Sequence, residues 1–279
     1  MKIIDLNFQN TPHIISSFLI DATEPILVET GPDSTFKNLL SNLKALGLNQ
    51  QDIKHVLITH IHLDHCGAAW HFGQSKAKIY VHPLGAKHLI DPSRLVSSAQ
   101  IVYKDKLESL FGSIEPIDKD CVIEVDDEKE INIGGTRVLP IYTKGHAKHH
   151  VCFLINEYMF VGDAGGIRIL DGPIMPTTPP PDINLDEWLL SIEKLQRYDV
   201  PLICPTHFGC FPSFNHFDEL ASHILEYKIF IQNSQDYNQF LKFIDTYFVD
   251  EQTRQLYKIA NPDEMNFEGL LRYFKNFGN

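Results

Sequence analysis

The stretch Thr59 to Ala68, THIHLDHCGA, constrains this chain more than any other, because it packs three histidines and an aspartate into six residues. The preceding residues Val56 to Ile58 read as a short, fully buried parallel strand, and the following CGAAWHF reads as the start of a helix. The polar cluster therefore falls in the loop at the carboxyl end of a strand, where open α/β sheets place their chemistry. In an extended loop, residues two apart point the same way, so His60 and His62 can converge on one point. Asp64 and His65 are then free to face a second point nearby. A lone histidine in a chain that has 14 is usually a surface or hydrogen-bonded core residue. Four donors spaced H-x-H-x-D-H are a different matter, since imidazole and carboxylate suit zinc, iron and manganese. Two metal ions a few ångströms apart account for all four residues at once.

The 279 residues allow one large α/β domain, or such a domain with a helical appendage. A formal charge of −12 argues against nucleic acid or an anionic membrane as partner, since both demand basic surface. Asp5, Asn7, Gln9 and His13 interrupt any signal-peptide core, and no apolar run approaches the roughly 20 residues needed to span a bilayer. The five cysteines, Cys66, Cys121, Cys152, Cys204 and Cys210, include no C-x-x-C pair. They are read as reduced thiols of a cytoplasmic protein. Cys66 abuts the histidine cluster and is read as a small buried packing residue rather than a ligand.

Strand-like segments occupy His13 to Ile20, Pro25 to Thr30 and Lys78 to His82. Phe36, Leu39, Leu40, Leu43 and Leu46 recur at helical spacing before Gly47. A mostly helical stretch runs from Gly85 to about Asp118. Two hairpins follow, turned at Gly134-Gly135 and at Asn156-Glu157. A helix capped by Asn184, with Glu187 completing a capping box, presents Leu185, Trp188, Leu189, Ile192 and Leu195. PLICPTHFG is a last buried strand, and beyond Pro212 the chain reads as helical. The expected division is a catalytic domain over 1–212 and a helical extension over 213–279.

Three further ligand-type residues directly follow apolar strands. His146 follows VLPIYT, Asp163 follows YMFV within glycines that permit tight backbone, and His207 follows LICP. With His60, His62, Asp64 and His65, these residues form the pattern H-x-H-x-D-H, then G-H, then G-D, then a strand-end histidine. The pattern resembles the metallo-β-lactamase superfamily over roughly residues 10 to 210, and its order and spacing look like the glyoxalase II-type branch.

The resemblance implies a four-layer αββα sandwich with the metals at one edge of two facing sheets. It implies that His60, His62 and His146 bind the first metal, that Asp64, His65 and His207 bind the second, and that Asp163 bridges both. Zinc is the expected metal, with iron and manganese as alternatives. Two such ions lower the pKa of a bridging water until hydroxide exists near neutral pH. Asp64, placed to orient that hydroxide, is the candidate catalytic residue. The sequence departs from the glyoxalase-type G-H-A-P-G-H, reading Gly145-His146-Ala147-Lys148-His149-His150. His150 is read as a support for ligands rather than a ligand, and His149 as a surface residue.

The function these features imply is a dinuclear metallohydrolase of a small ester, thioester or lactone. A mononuclear iron persulfide dioxygenase, using His60, His146 and Asp163, is the alternative from another reaction class. β-Lactam hydrolysis fits less well, because a bridging aspartate is not a feature of those enzymes, and RNA cleavage fits poorly with the acidic charge. The Met175 to Asp182 loop and Gly165 to Asp171 are expected to edge the cleft, with Arg168 meeting an anionic group or pairing with an acid. Phe208 and Phe211 either line the pocket or pack in the core. The helical tail is expected to shape the substrate pocket from its first turn, with homodimerisation through it as the alternative.

Overall fold

The computed structural model describes residues 1–278. Its twelve strands form two six-stranded sheets. The first runs in chain order: β1 (Lys2–Asp5), β2 (Ser16–Ile20), β3 (Ile26–Val28), β4 (His55–Leu57), β5 (Lys78–Val81) and β6 (Val122–Glu124). Its β1–β2 and β2–β3 pairs are antiparallel, and those from β3 to β6 are parallel. The second sheet contains β7 (Ile131–Ile133), β8 (Thr136–Tyr142), β9 (Val151–Ile155), β10 (Tyr158–Phe160), β11 (Leu202–Cys204) and β12 (Phe211–Pro212), with β7 and β12 at its edges. Only its β10–β11 pair is parallel.

Strand alternation explains why the sheets stack. Ile26 and Val28 of β3 join Phe18, Leu57, Phe153 and Phe160 in a core between the sheets, while Leu27, Val56 and Cys152 face outward into helices. Successive strand residues point to opposite faces, so a strand buried on both sides must be apolar throughout. Helices α1 (Phe36–Ala45), α2 (Leu63–Cys66) and α3 (Ala69–Gln74) follow β3 and β4. Between β5 and β6 lie α4 (Pro83–Ile90), α5 (Ser93–Tyr103) and α6 (Leu107–Phe111). Helix α7 (Leu185–Leu195) buries Trp188 against the outer face of the second sheet. This is the expected αββα sandwich.

Several local expectations shift. The strand before the histidine cluster is His55–Leu57, although the Ile58 N–H still bonds to the Tyr80 carbonyl at 3.0 Å. Asp64 and His65 stand on the short α2 helix and not in a loop. Asn184 caps α7 by accepting the N–H groups of Asp186 and Glu187, but its own N–H goes to the Gly145 carbonyl at 2.8 Å. Gly145 permits this approach: a Cβ there would lie 2.3 Å from the Trp188 backbone.

Cys204 and Cys210 form a disulfide, correcting the expectation of reduced thiols throughout. The reason is register. Leu202 pairs with Pro212 and Ile203 with Phe211, so continuing the ladder sets Cys204 against Cys210 across the loop that carries His207. Cys66, Cys121 and Cys152 are buried free thiols. Burial pushes the Cys66 thiol far upward, consistent with a packing role.

Beyond β12 come α8 (His216–Asn233), α9 (Tyr237–Asp245), α10 (Glu251–Ala260) and α11 (Asp263–Phe277). Helix α10 falls within the stretch beyond Pro212 that was expected to be helical; its residues EQTRQLYKIA bury only Arg254 and Tyr257. Arg254 binds Asp245 and Asp263, each at 2.8 Å, and so ties α9, α10 and α11 together. The Tyr257 hydroxyl donates to the Pro173 carbonyl at 2.6 Å and accepts the Ile169 N–H at 2.9 Å. The tail is thereby fastened to the segment after Asp163. Among the described residues, no helix is long and apolar enough to cross a membrane.

Candidate metal centre

The seven expected ligand residues meet at one edge of the two sheets, in two groups: His60, His62, His146 and Asp163, and Asp64, His65 and His207. Their carriers are joined there by the Val151 N–H to Thr59 carbonyl bond at 2.8 Å and the Ser16 N–H to Thr206 carbonyl bond at 2.8 Å. In the first group His60 Nε2, His62 Nδ1 and His146 Nε2 stand 3.0 to 3.2 Å from one another. His146 donates its other ring N–H to the Thr177 carbonyl at 3.0 Å, which leaves its Nε2 lone pair aimed inward. In the second group His207 likewise donates Nδ1–H to the Ile14 carbonyl at 2.7 Å, and its Nε2 lies 3.4 Å from Asp64 Oδ2.

Asp163 stands between the groups. Its Oδ2 is 3.5 Å from His146 Nε2 and 4.0 Å from His60 Nε2. Its Oδ1 is 3.3 Å from His65 Nε2 and 3.7 Å from His207 Nε2. Asp163 Oδ1 and both ring nitrogens of His65 are buried without a hydrogen-bond partner. Buried polar atoms are rarely left so. A tetrahedral ion with nitrogen ligands at about 2.0 Å separates those ligands by roughly 3.3 Å, close to the spacing of the three imidazoles. The donor set fits metal ions.

The protonation states differ between the groups. Burial holds His60 well below its ordinary pKa, helped by His65, and draws His62 down to about 3, helped by His146. Burial also lowers His146. For His65 burial is outweighed by the carboxylates of Asp163, Asp64 and Glu29, and its pKa is raised well above the ordinary value. His207 is raised in the same way by Asp163 and Asp64. Asp64, whose burial alone would raise it, is drawn down to about 2 by His65 and His207.

Metal entering the second group must therefore displace protons that the first group does not carry. Were ions bound at both groups, lowering the pH from about 8 to about 5 would be expected to release the one on Asp64, His65 and His207 first. Metal content after dialysis across that range checks this. Simultaneous loss of both ions would contradict it.

Around the ligands, His150 takes the supporting place expected of it, while His149 and Glu29 depart from the sequence-based expectation. His150 is fully buried, with Nδ1 2.8 Å from Thr143 Oγ1 and Nε2 accepting the Ala164 N–H at 3.2 Å. Both its nitrogens are engaged, and it supports the turn that carries Asp163. His150→Ala is expected to weaken metal binding by about 10- to 100-fold without abolishing it, as removal of an outer partner does. A metal titration beside the wild type measures this; complete loss of one ion would make His150 a ligand.

His149 is not the expected surface residue. It is half-buried beside the cleft, its pKa is lowered to about 3 by burial, and its ring lies 5.9 Å from that of His62. Glu29 was missed. It is completely buried at the end of the run ILVE, with Oε1 accepting the Thr59 N–H at 3.1 Å and Oε2 3.3 Å from His65 Nδ1. An acid ending a fully apolar strand was the available signal, since such a charge needs a partner.

The cleft beside the cluster is a cavity of about 360 Å³. Thr177, Pro179, Pro180, Pro181 and Asp182 edge it, as expected of the proline-rich loop. Arg168 does not border it; its guanidinium lies 4.6 Å from the ring centre of Phe211. Phe208 packs edge-on against His13. The tail does reach the cleft, but through Ala260, Asn261, Pro262 and Met265 at the α10–α11 junction rather than through its first turn.

A family model described as the metallo-beta-lactamase superfamily matches residues 10–207. A metallo-beta-lactamase fold-containing protein of Sulfurisphaera tokodaii is 35% identical over 150 residues, which cover 52% of this chain and 55% of that one. The probable polyketide biosynthesis zinc-dependent hydrolase PksB of Bacillus subtilis is 30% identical over 132 residues, 47% of this chain and 44% of its own length. The match thus spans about half of these curated relatives. Among solved structures, a metallo-beta-lactamase family protein from Thermus thermophilus superposes with a TM-score of 0.71 at 20% identity, over 95% of this chain and 89% of that one.

Proposed function

The chain belongs to the metallo-β-lactamase superfamily, and from that premise we propose that it is a dinuclear metal-dependent hydrolase of a small ester, thioester or lactone. The observation that carries this reading is the posture of Asp163, whose two carboxylate oxygens lie 3.5 Å from His146 and 3.3 Å from His65 in different ligand groups. A centre for one ion needs only one of these groups. His60, His62 and His146 would hold one ion, Asp64, His65 and His207 the other, and Asp163 both. The zinc-dependent hydrolase named among the relatives supports zinc.

Two bound divalent cations would draw the pKa of water toward neutrality and polarise a carbonyl oxygen. The protein's own contribution is positional. The Thr177 and Ile14 carbonyls fix the tautomers of His146 and His207, and Glu29 sets the ring of His65. Asp64 has a side chain 24% exposed and borders the cleft. As water adds to the carbonyl carbon, Asp64 can take up its proton and release it to the departing oxygen or sulfur.

Elemental analysis of carefully prepared protein is expected to find about two transition-metal ions per chain. No bound metal, and none taken up on reconstitution, would end this reading. One iron with a paramagnetic signature and no second ion would favour the persulfide dioxygenase alternative.

A further inference from the structure

Helix α5 forms one wall of the cleft along its whole length. Arg94, Leu95, Ser98, Ala99, Val102 and Tyr103 all border the cavity. They fall at i, i+1, i+4, i+5, i+8 and i+9, one continuous stripe of a helix. Tyr103 marks the inner end, because with Asp64 it also borders a smaller cavity of about 70 Å³ that reaches His207. Arg94 lies nine residues earlier, so it stands about 13 Å from Tyr103 along the helix axis.

Between these ends the surroundings are largely apolar, with Leu95, Ala99 and Val102 on α5 and Pro179, Pro180 and Met265 from other segments. The charges at the outer end are unequally engaged. Asp182 is paired with Lys148 at 3.1 Å. Among the described residues, the ion-paired arginines are Arg137 and Arg254; exposed Arg94 is in no ion pair, although, after the Ser93 hydrogen bonds, its charge also helps hold the Asp91 carboxyl below its ordinary range.

Resting on the hydrolase reading of the metal centre, we propose that the cleft is a slot for an elongated apolar arm of the substrate, ending in an acidic group paired with Arg94. The arm would run along α5 from the reacting carbonyl at the metal cluster to the helix start. An apolar wall without Arg94 would accept any hydrophobic chain, and an arginine without the wall would accept any anion. Their separation along a rigid helix makes length the selected property.

The test measures binding of straight-chain mono- and dicarboxylic acids of about four to about fourteen carbons to the zinc-loaded full chain by calorimetry. A carboxylate head will seat on the metal cluster whichever side of the scissile bond the slot normally receives. Affinity is expected to rise about threefold per added methylene until the chain spans the slot, then to level off. At that length the diacid should bind about fivefold more tightly than the monoacid. Arg94→Ala should erase the diacid's advantage and leave monoacid binding unchanged, and Ser98→Phe should move the optimum to shorter chains. Affinity independent of length, or equal affinity for mono- and diacids in the wild type, would overturn the slot. Binding in the expected pattern without turnover of the matching esters, thioesters or lactones would instead overturn the hydrolase reading and keep the slot.

Discussion

Asp163→Ala is expected to leave a folded protein that holds about one metal ion or none and has lost activity by well over a hundredfold, beyond the usual effect of removing an outer partner. The carboxylate reaches toward both ligand groups, with Oδ2 3.5 Å from His146 and Oδ1 3.3 Å from His65, so on the dinuclear reading its removal would open both at once. It also removes negative charge from between His60, His65, His146 and His207, all of which lie within 4.0 Å of it. With two cations bound, that loss would leave their mutual repulsion less compensated. The fold should persist, because Asp163 sits on the Gly162–Gly165 turn after β10 and outside the apolar core between the sheets. Asp163→Asn separates charge from shape: it fills the same space and should lose metal nearly as fully. Elemental analysis with a turnover assay decides the matter, and a variant keeping both ions and full rate would remove Asp163 from the bridge.

The seven-residue cluster is legible in the sequence because its chemistry restricts residue type and because strand ends deliver all but the two α2 residues. His146, Asp163 and His207 each stand just past a short apolar run, as do His60 and His62. What escaped is what depends on pairing across space. Glu29 looks like an ordinary strand end until His65 is seen 3.3 Å away. The Cys204–Cys210 bond follows from a two-residue edge strand, β12, too short to announce itself. The wall made by α5 was hidden for another reason. Ser93 to Tyr103 buries only Ala99, so its amphipathic pattern is weak, and the stripe that matters faces a cavity and not the core. Helix α10, in the stretch read as helical, is held by the buried ion pairing of Arg254 as well as by buried Tyr257, a pairing across space that no local pattern announces.

Gly269→Ala is expected to destabilise the protein by about 3 kcal/mol or more, against the sign that helix propensity alone would give. In an open helix the change would stabilise by roughly 1 kcal/mol. Here α11 lies directly on the proline-rich loop, and a Cβ at position 269 would fall 1.8 Å from the Thr178 carbonyl oxygen and 2.9 Å from its carbon. These are backbone atoms and cannot rotate aside, so the helix or the loop must move. Movement breaks a second set of contacts. Asn266, one turn earlier, accepts the Thr178 N–H at 2.6 Å, and the Thr178 hydroxyl donates to the Asn266 carbonyl at 3.0 Å. Overpacking costs of about 1–3 kcal/mol then add to roughly 1 kcal/mol for each buried hydrogen bond lost. For a chain of this size the midpoint of thermal unfolding should fall by roughly 10 °C. The effect should also reach the metal cluster, because the neighbouring Thr177 carbonyl is the one that accepts the His146 Nδ1–H at 3.0 Å. Weaker metal retention in a chelator titration should therefore accompany the lower midpoint, although position 269 supplies no ligand. A variant with an unchanged midpoint and unchanged metal affinity would mean that α11 can step back freely, and the tail would then have no part in holding the site.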